Sequence, residues 1–269
     1  ALGGAGVRLF PIAPLMHGAG QFGVMTALFQ GNAVTLVDKF DAERVWKLVE
    51  ADGVNVLNIT GDAMARPLAD TLEAGNFDIS TVVTVSSTAA IFSPPVKAQF
   101  LDLLPNALIF DAIGSSESGM NGIRLVGRES APQEGVTRVD PSKDAVVIDD
   151  DFQPVVPGSG QIGRVARTGN VPIGYYKDPE KSAATFPVVD GVRYSIPGDF
   201  ARVEADGQIT LLGRGSQCIN SGGEKIYPEE IEGALKAHPG VFDALVVGVP
   251  DERWGQRVVA VIQARPGQT

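Results

Sequence analysis

Short apolar runs alternate with helical patterns through the first hundred residues. Between those runs, an apolar face formed by Val45, Trp46 and Val49 predicts a helix that begins after Asp41 and ends at Gly53. The runs themselves predict buried strands, because they are short, rich in β-branched residues and bounded by Gly, Asn or Asp: residues 33–37, 54–59, 81–85 and 107–110. This alternation predicts an α/β fold with a largely parallel sheet.

A second helix is predicted from Ser93-Pro94, with Val96, Phe100, Leu103 and Leu104 facing inward. From about residue 122 the pattern changes to short strands separated by turns, with Asp206-Gly207 as a hairpin signal. These strands cover residues 145–148, 162–167, 199–203 and 208–212. The region is therefore expected to be a small antiparallel barrel or sheet.

After Arg214 a polar, glycine-rich stretch leads to a helix that opens at Pro228 and carries Ile231, Ala234 and Leu235 on one face. Strands are predicted over residues 241–247 and 258–263. We interpret this part as the start of a separate small α+β unit, inside which the chain stops.

Composition describes a globular protein of 269 residues, with 44% hydrophobic and 20% charged residues. The excess of 32 acidic over 22 basic side chains gives a net charge of −10, which disfavours nucleic acid and anionic lipid as partners. An anionic ligand therefore needs a local, fixed site. No apolar run approaches the roughly 18 residues of a membrane-spanning helix, so no transmembrane segment is expected. The single cysteine, Cys218, fits a reducing compartment, and we expect a cytoplasmic protein; a homo-oligomer is compatible with the sequence.

Glycine is unusually frequent, with 32 residues, which indicates either many turns or loops where backbone approaches a ligand. One such segment runs from Gly114 through Ser115, Ser116 and Glu117 to Gly119, directly after a predicted strand. Its backbone N–H groups and hydroxyls could converge on an anion, and its carboxylate could hold Mg²⁺. A serine- and glycine-rich turn with a solvated glutamate is the alternative.

Three further segments carry candidate chemistry. Asp199 follows a Pro-Gly turn, and the two acceptor oxygens of its carboxylate suit the hydroxyl groups of a ribose. The alternative is that this carboxylate accepts hydrogen bonds from the backbone amides of the turn. Arg214 ends a predicted strand and either contacts a nucleotide or is an ordinary surface arginine. Ser221-Gly222-Gly223 precedes the helix at Pro228, and its glycines permit positive φ or a ligand lying against bare backbone.

His17 lies in a predicted loop, where a structural and a site histidine are both open readings. Neither histidine joins Cys218 at metal-ligand spacing, so zinc is not expected.

Taken together and in this order, the segments resemble the adenylate-forming superfamily, specifically the acyl-CoA synthetases that activate fatty and related carboxylic acids. The resemblance runs from about residue 10 to residue 263. Pro14 to Gly20 is similar to the family's P-x-x-H-x-x-G loop, and residues 113–117 take the place of Y-G-x-[ST]-E. It therefore implies an ATP-dependent ligase with Mg²⁺ and coenzyme A as cofactors and a carboxylic acid as substrate.

The same resemblance implies a role for each matching residue. His17 would lie near the acyl carboxylate, Ser116 would bind phosphate and Glu117 would bind Mg²⁺. Asp111 would accept a hydrogen bond from the adenine amino group, and Asp199 would bind the ribose. Ile113 stands where the family usually has an aromatic residue that stacks on adenine. The resemblance assigns nucleotide or CoA binding to these remaining positions: Thr88, Ala89, Ile113, Gly114, Ser115, Arg214, Ser221, Gly222 and Gly223.

Domain organisation also follows from the resemblance. Residues 1–214 correspond to part of a large domain, with an α/β part over 1–121 and a β-rich part over 122–214. Residues 215–269 correspond to part of a small mobile C-terminal domain, with Ser216 at the hinge.

The family's phosphate loop, expected upstream of His17, and its late lysine, expected beyond Thr269, are both missing from the sequence. We therefore expect an internal segment of a longer enzyme, inactive alone. Two other functions stay open: an enzyme that loads the acyl group onto a carrier protein, and a non-catalytic nucleotide-binding module.

Overall fold

The structure is a computed structural model that describes residues 6–90, 92–129, 137–222, 224–265 and 267. The chain divides into two compact units, one of residues 1–112 and 124–132 and one of residues 113–123 and 133–269. Two strands, β5 (Leu108–Ser115) and β6 (Gly119–Val126), contribute residues to both units.

The first unit contains a parallel sheet in the order β2-β1-β3-β4-β5, in which each neighbouring pair is parallel. Besides β5, its strands are β1 (Arg8–Pro11), β2 (Ala33–Val34), β3 (Val56–Ile59) and β4 (Thr84–Ser87). Its helices are α1 (Gly18–Phe29), α2 (Ala42–Asp52), α3 (Gly61–Ala74) and α4 (Pro94–Leu103). This arrangement confirms the predicted α/β fold.

Large apolar side chains from strands and helices form the core of the first unit. Phe10, Trp46, Leu57 and Ile109 are fully buried in it. The Trp46 ring also donates a hydrogen bond of 2.8 Å from Nε1 to the Leu68 carbonyl oxygen, so its polar atom is satisfied inside the core.

Helix α2 confirms the prediction from its hydrophobic periodicity and its end signals. The Asp41 side chain accepts a hydrogen bond of 2.8 Å from the backbone N–H of Arg44, as an N-cap does. Gly53 ends the helix with φ +65°, a conformation that glycine adopts without steric cost. The helix predicted from Ser93-Pro94 is also present as α4.

Helices α1 and α3 are not predicted from the sequence pattern. The first turns of α1 contain Gly18, Gly20 and Gly23, which have poor helix propensity. Helix α3 contains Pro67 in its interior, where proline removes a backbone donor. Tertiary packing overrides the proline signal in α3, since Ala65, Leu68 and other residues on one side of that helix are buried. Helix α1 buries only Gly20 and Ala27.

The second unit contains an antiparallel sheet in the order β6-β7-β13-β12-β9-β8. Besides β6, its strands are β7 (Arg138–Pro141), β8 (Ala145–Ile148), β9 (Ile162–Arg167), β12 (Asp199–Val203) and β13 (Ile209–Arg214). Helix α5 (Pro179–Thr185) and the ribbon of β10 (Val188–Val189) and β11 (Val192–Arg193) lie between β9 and β12 in sequence. The predicted antiparallel, β-rich region is confirmed, including the hairpin at Gly207 (φ +85°).

After β13, a 3-10 turn over Gly215–Gln217 leads to a second antiparallel sheet in the order β15-β14-β17-β16. Its elements are β14 (Ile219–Ser221), β15 (Glu224–Ile226), α6 (Pro228–Lys236), β16 (Val241–Asp251) and β17 (Gly255–Ala264). The predicted helix and strands are all present, and both strands are longer than predicted.

The predicted inner face of α6 is partly wrong, because Ala234 is exposed. The helix buries Lys236 instead, whose ammonium group pairs with Asp243 at 2.9 Å. A long lysine stem can cover apolar surface while its charge finds a carboxylate, so residue type alone does not identify the inner face.

Candidate functional site

The turn between β5 and β6 presents the serine-rich segment identified in the sequence. Gly114 lies so close to the returning chain that a Cβ atom there would be 2.3 Å from the carbonyl oxygen of Gly119. Any side chain at position 114 would therefore push the two strands apart. Ser116 lies at the tip of this turn with an exposed side chain, which leaves its hydroxyl accessible to a ligand.

Glu117, in the same turn, is held by two residues that are distant in sequence. The Tyr175 hydroxyl donates a hydrogen bond of 2.7 Å to Oε1 of the Glu117 carboxylate. The buried Ser195 hydroxyl donates one of 2.9 Å to the Glu117 backbone carbonyl. These two contacts fix both the backbone and the carboxylate of Glu117.

Burial acts to raise the pKa of the Glu117 carboxyl group, but opposing contacts outweigh it. Hydrogen bonds from Tyr175, from its own backbone and from Ser115, together with the positive charge of Arg214, lower the pKa below its usual value. Glu117 is therefore an ionised carboxylate in a partly buried position.

A chain of hydrogen bonds behind the turn supports this arrangement. The Asn121 side-chain amide donates to the Ser118 hydroxyl at 2.9 Å, and that hydroxyl lies 2.9 Å from the Ser115 hydroxyl. Asn121 and Ser118 are almost completely buried. These hydrogen bonds tie the turn around Glu117 to Ser115 on β5 and to Asn121 on β6, although Asn121 Oδ1 is buried without a partner among the described residues.

Asp199 and Arg214 lie opposite each other on the antiparallel strands β12 and β13. The Arg214 Nε donates a hydrogen bond of 2.9 Å to Asp199 Oδ1. Burial raises the pKa of the Asp199 carboxyl group, Arg214 opposes that change, and the negative charge of Glu117 adds to it. Because Arg214 and Asp199 both interact with Glu117, these three predicted site residues form one cluster in the second unit.

The cluster fits a Mg²⁺ ion held in part by a ligand. Among the described residues, no group of three or more His, Cys, Asp or Glu side chains could hold a metal on its own. Mg²⁺ is commonly bound through one or two carboxylates together with phosphate oxygens and waters. The ionised Glu117 and the exposed Ser116 hydroxyl supply the hard oxygen donors that such a site needs.

In the first unit, the predicted adenine-binding residues lie on or directly after two adjacent strands, β4 and β5. Ser87 on β4 pairs with Asp111 on β5, and Thr88 and Ala89 follow immediately. Ala89 has φ +69°, which is strained for a residue with a side chain and is often found at functional positions. The buried Asp111 carboxylate forms an ion pair with the buried Lys97 ammonium group.

His17 immediately precedes α1 as its N-cap residue, with an exposed side chain and no capping hydrogen bond. This placement agrees with the predicted loop position. The proposed contact of His17 with an acyl carboxylate stays a prediction.

Ile113 is buried in the second unit's core, among Val139, Val165 and Ala201. Ser216 lies in the 3-10 turn that follows β13. Their predicted roles as adenine contact and hinge stay predictions.

In the Ser221-Gly222-Gly223 segment, a structural requirement explains one of the two glycines. Gly222 has φ +61°, and a Cβ atom there would be 2.7 Å from the Trp254 ring. Gly223 lies outside the described residues, and the predicted contact of this segment with CoA stays a prediction.

Comparison with known proteins identifies the family. Residues 3–176 match the family model of the AMP-binding enzymes, and residues 230–269 match the model of the AMP-binding enzyme C-terminal domain. The chain belongs to the AMP-binding enzyme family.

Relatives of this AMP-binding enzyme include a 3-oxocholest-4-en-26-oate–CoA ligase from Rhodococcus rhodochrous, which is 54% identical over 98% of the chain. A medium/long-chain-fatty-acid–CoA/3-oxocholest-4-en-26-oate–CoA ligase from Mycobacterium tuberculosis is 55% identical over 96% of the chain. The chain spans 48% and 47% of the lengths of these two relatives, about half of each.

The fold of this AMP-binding enzyme also matches solved structures. ATP-bound MatB from Rhodopseudomonas palustris aligns with a TM-score of 0.81 and 25% identity over 98% of the chain and 51% of MatB. The predicted adenylate-forming fold is therefore confirmed. Within the described residues, no helix is both long enough and apolar enough to cross a membrane.

Two residues at the candidate sites, Tyr175 and Lys97, are missed by the sequence analysis. Tyr175 contacts Glu117 only through the tertiary fold, and nothing local indicates the contact. Lys97 did leave a signal, because it lies beside Val96 and one turn before Phe100 on the buried side of α4. A lysine at such a position needs a partner, and this could have indicated a buried carboxylate.

Proposed function

We propose that the full-length protein is an ATP-dependent acyl-CoA synthetase. It would convert a carboxylic acid, ATP and CoA into acyl-CoA, AMP and pyrophosphate through an acyl-adenylate. The observation that carries the proposal is the cluster of Glu117, Asp199 and Arg214, which the fold assembles from the turn between β5 and β6 and from the paired strands β12 and β13. Membership of the AMP-binding enzymes supports it, as does the similarity to CoA ligases.

In the proposed first step, the substrate carboxylate attacks the α-phosphorus of ATP and pyrophosphate leaves. Ser116 and the backbone of the turn would bind phosphate oxygens, and Glu117 would hold Mg²⁺. When bound, Mg²⁺ supplies positive charge that offsets the charge developing on the leaving group. Preorganisation of Glu117 by Tyr175 and Ser195 supports this role, since the carboxylate needs no rearrangement during the reaction.

Carboxylates would make the main proposed contacts with the nucleoside. Asp199 would accept hydrogen bonds from the ribose hydroxyls, and Arg214 would hold the Asp199 carboxylate in place. Asp111 would accept a hydrogen bond from the adenine amino group, with Thr88 and Ala89 along the base. Each proposed acceptor is a carboxylate with an adjacent cation, which favours its ionised, accepting form.

In the proposed second step, the CoA thiol attacks the acyl carbon of the adenylate, AMP leaves, and the thiol proton passes to solvent. We propose that residues 215–269 turn about Ser216 as a small domain, which brings Ser221 and Gly222 towards the adenylate. His17 would lie beside the acyl carboxylate during the first step. We also propose a cytoplasmic location, where ATP and CoA are available.

For the acid, we propose a medium- or long-chain fatty acid or the side-chain acid of a steroid such as 3-oxocholest-4-en-26-oate. The relative that is 54% identical is named for the steroid acid, and the relative that is 55% identical is named for both kinds of acid. The small side chains at residues 86–90 are compatible with a bulky or long acyl group.

The proposal is tested by acid-dependent exchange of labelled pyrophosphate into ATP, followed by thioester formation with free CoA. We expect both reactions in the full-length protein. Exchange followed by transfer only to a carrier protein would favour the carrier-loading alternative. Nucleotide binding without exchange would favour the non-catalytic module.

Replacing the carboxylate of Glu117 by an amide tests the catalytic cluster directly. Glu117→Gln keeps the side-chain size but removes the charge that would hold Mg²⁺, so we expect pyrophosphate exchange to fall by about 100-fold or more. The exposed Glu252→Gln change in the same unit is the matched control and should leave exchange unaltered. Exchange at the wild-type rate in Glu117→Gln would contradict the assignment.

A further inference from the structure

Lys97 is a buried cation in the first unit, and its partner is the carboxylate proposed to contact adenine. It lies on α4, and its ammonium group pairs with Oδ2 of Asp111 on β5. The side chains of Lys97 and Asp111 are only 9% and 5% exposed. Burying two charges costs free energy of desolvation. The position of this ion pair at a predicted ligand contact therefore suggests a role beyond stability.

The ammonium group of Lys97 also contacts the segment that follows β4. It lies 5.6 Å from the centroid of the Phe92 ring, and Phe92 is buried. Ser87, at the end of β4, is the direct neighbour of Asp111 in the sheet. Lys97 therefore contacts both β5, through Asp111, and the segment after β4, through Phe92.

Only one oxygen of the Asp111 carboxylate is used by these contacts. Within the part of the chain that the structure describes, the Asp111 side chain accepts one hydrogen bond, which the Lys97 ammonium group donates to Oδ2. Oδ1 thus remains as the acceptor for a ligand. Arg124 is the other cation that acts on this carboxylate.

Burial favours the neutral form of Asp111 and raises the pKa of its carboxyl group, and Lys97 and Arg124 oppose this change. The two protonation states present opposite hydrogen-bonding groups to a ligand. An ionised carboxylate only accepts hydrogen bonds, whereas a protonated one also donates. The charge beside Asp111 therefore decides which ligand group it can bind.

We propose that Lys97 is a positioning residue that sets purine selectivity: by holding Asp111 as a fixed acceptor, it makes the site take a 6-aminopurine and reject a 6-oxopurine. The inference rests on the proposed function, in which Asp111 contacts adenine. The 6-amino group of adenine would donate a hydrogen bond to Oδ1 of Asp111. The 6-oxo group of hypoxanthine is itself an acceptor, so it would repel the acceptor Oδ1 instead of bonding to it. Without Lys97, a protonated Asp111 could donate to the 6-oxo group.

The test compares ATP with inosine triphosphate as substrates for pyrophosphate exchange in the full-length protein. We expect the wild type to prefer ATP by roughly 100-fold in kcat/KM, because a site built around a hydrogen bond strongly rejects a ligand that cannot make it. Lys97→Met should reduce that preference about tenfold or more, through a loss for ATP and a gain for inosine triphosphate. Lys97→Arg keeps the charge and should keep most of the preference.

Arg66→Met is the matched control. Arg66 forms another buried ion pair in the first unit, with Asp62 at 3.1 Å, so its loss should destabilise the fold without changing the preference for ATP. If Lys97→Met does not fold, Lys97→Gln carries the same test, since it keeps a donor to Asp111 but no charge.

The outcomes separate the inference from the proposed function. A wild type without exchange would reject the proposed function itself. A wild type that exchanges but does not prefer ATP would overturn the inference, as would an unchanged preference in the uncharged Lys97 variant. A preference that falls equally in Arg66→Met would also overturn it, because the effect would then be general destabilisation.

Discussion

At the scale of single residues, the candidate site depends on carboxylates whose neighbours decide their charge. Glu117 is kept ionised by hydrogen bonds and by Arg214, although burial acts against ionisation. Asp199 and Asp111 are each paired with a cation. Glu117, Asp199 and Asp111 were predictable because they stand in motifs. Tyr175, the partner of Glu117, was not, and Lys97, the partner of Asp111, left only the signal of a lysine on a buried helix face.

Tyr175→Phe tests whether the hydrogen bond to Glu117 matters for catalysis. The change removes the hydroxyl group but keeps the ring that packs 5.3 Å from Phe186. A hydrogen bond to a charged group contributes about 1.5–3 kcal/mol, so we expect the Mg²⁺ concentration for half-maximal exchange to rise about tenfold. Titration of exchange activity with Mg²⁺ measures this shift.

Tyr176→Phe is the control for this experiment. Tyr176 is 88% exposed and is the next residue in the chain, so its hydroxyl should be dispensable. Identical Mg²⁺ dependence in the two variants would show that Tyr175 does not position Glu117.

At the scale of elements, the helix ends show how far local sequence rules reach. Asp41 and Ser93 are both N-cap residues, but only the Asp41 side chain accepts a backbone hydrogen bond. The Ser93 hydroxyl is buried and has no hydrogen-bond partner among the described residues. Its backbone N–H instead donates to Asp62 at 2.8 Å, so a tertiary contact determines how this helix begins.

Asp41→Ala and Ser93→Ala should therefore have different effects on stability. Loss of the Asp41 cap should lower the free energy of unfolding by about 1 kcal/mol, since a backbone donor of α2 loses its partner. Ser93→Ala removes an unpaired buried hydroxyl and should leave stability unchanged or slightly higher. Chemical denaturation of the two variants measures the difference, and equal losses would contradict the distinction.

At the scale of the whole molecule, the proposed reaction needs the residues after Arg214 to move. In the second unit, α6 and the segment before it contact β12 and β13. The Phe200 and Tyr227 rings lie 5.8 Å apart, Arg202 lies 3.9 Å from Glu230, and the Glu229 carboxylate lies against Gly213. A rotation about Ser216 would break these contacts and form others.

Ser216→Pro tests this movement, because proline fixes φ at the proposed hinge. We expect pyrophosphate exchange to continue at close to the wild-type rate and thioester formation to fall about tenfold or more, since only the second step needs the rotation. Ser216→Ala removes the hydroxyl but leaves the backbone free, and it should support both reactions. Equal losses in the two half-reactions of Ser216→Pro would argue against rotation.

The sequence by itself determined the type and order of most elements and the positions of the motifs. Strands 145–148, 162–167 and 199–203 are where the pattern of short strands separated by turns predicts them, and α2 has the predicted cap and end. These features follow from short-range physics: hydrophobic periodicity, capping and turn conformation are all encoded within a few residues.

Only the tertiary structure decided which side chains meet. Tyr175 reaches Glu117 from 58 residues away, and Lys97 meets Asp111 across a helix and a strand. Helix α3 forms despite Pro67 because one of its sides is buried against the rest of the first unit. Contacts between distant segments depend on the packing of the whole unit, and the charge of each buried carboxylate depends on those contacts.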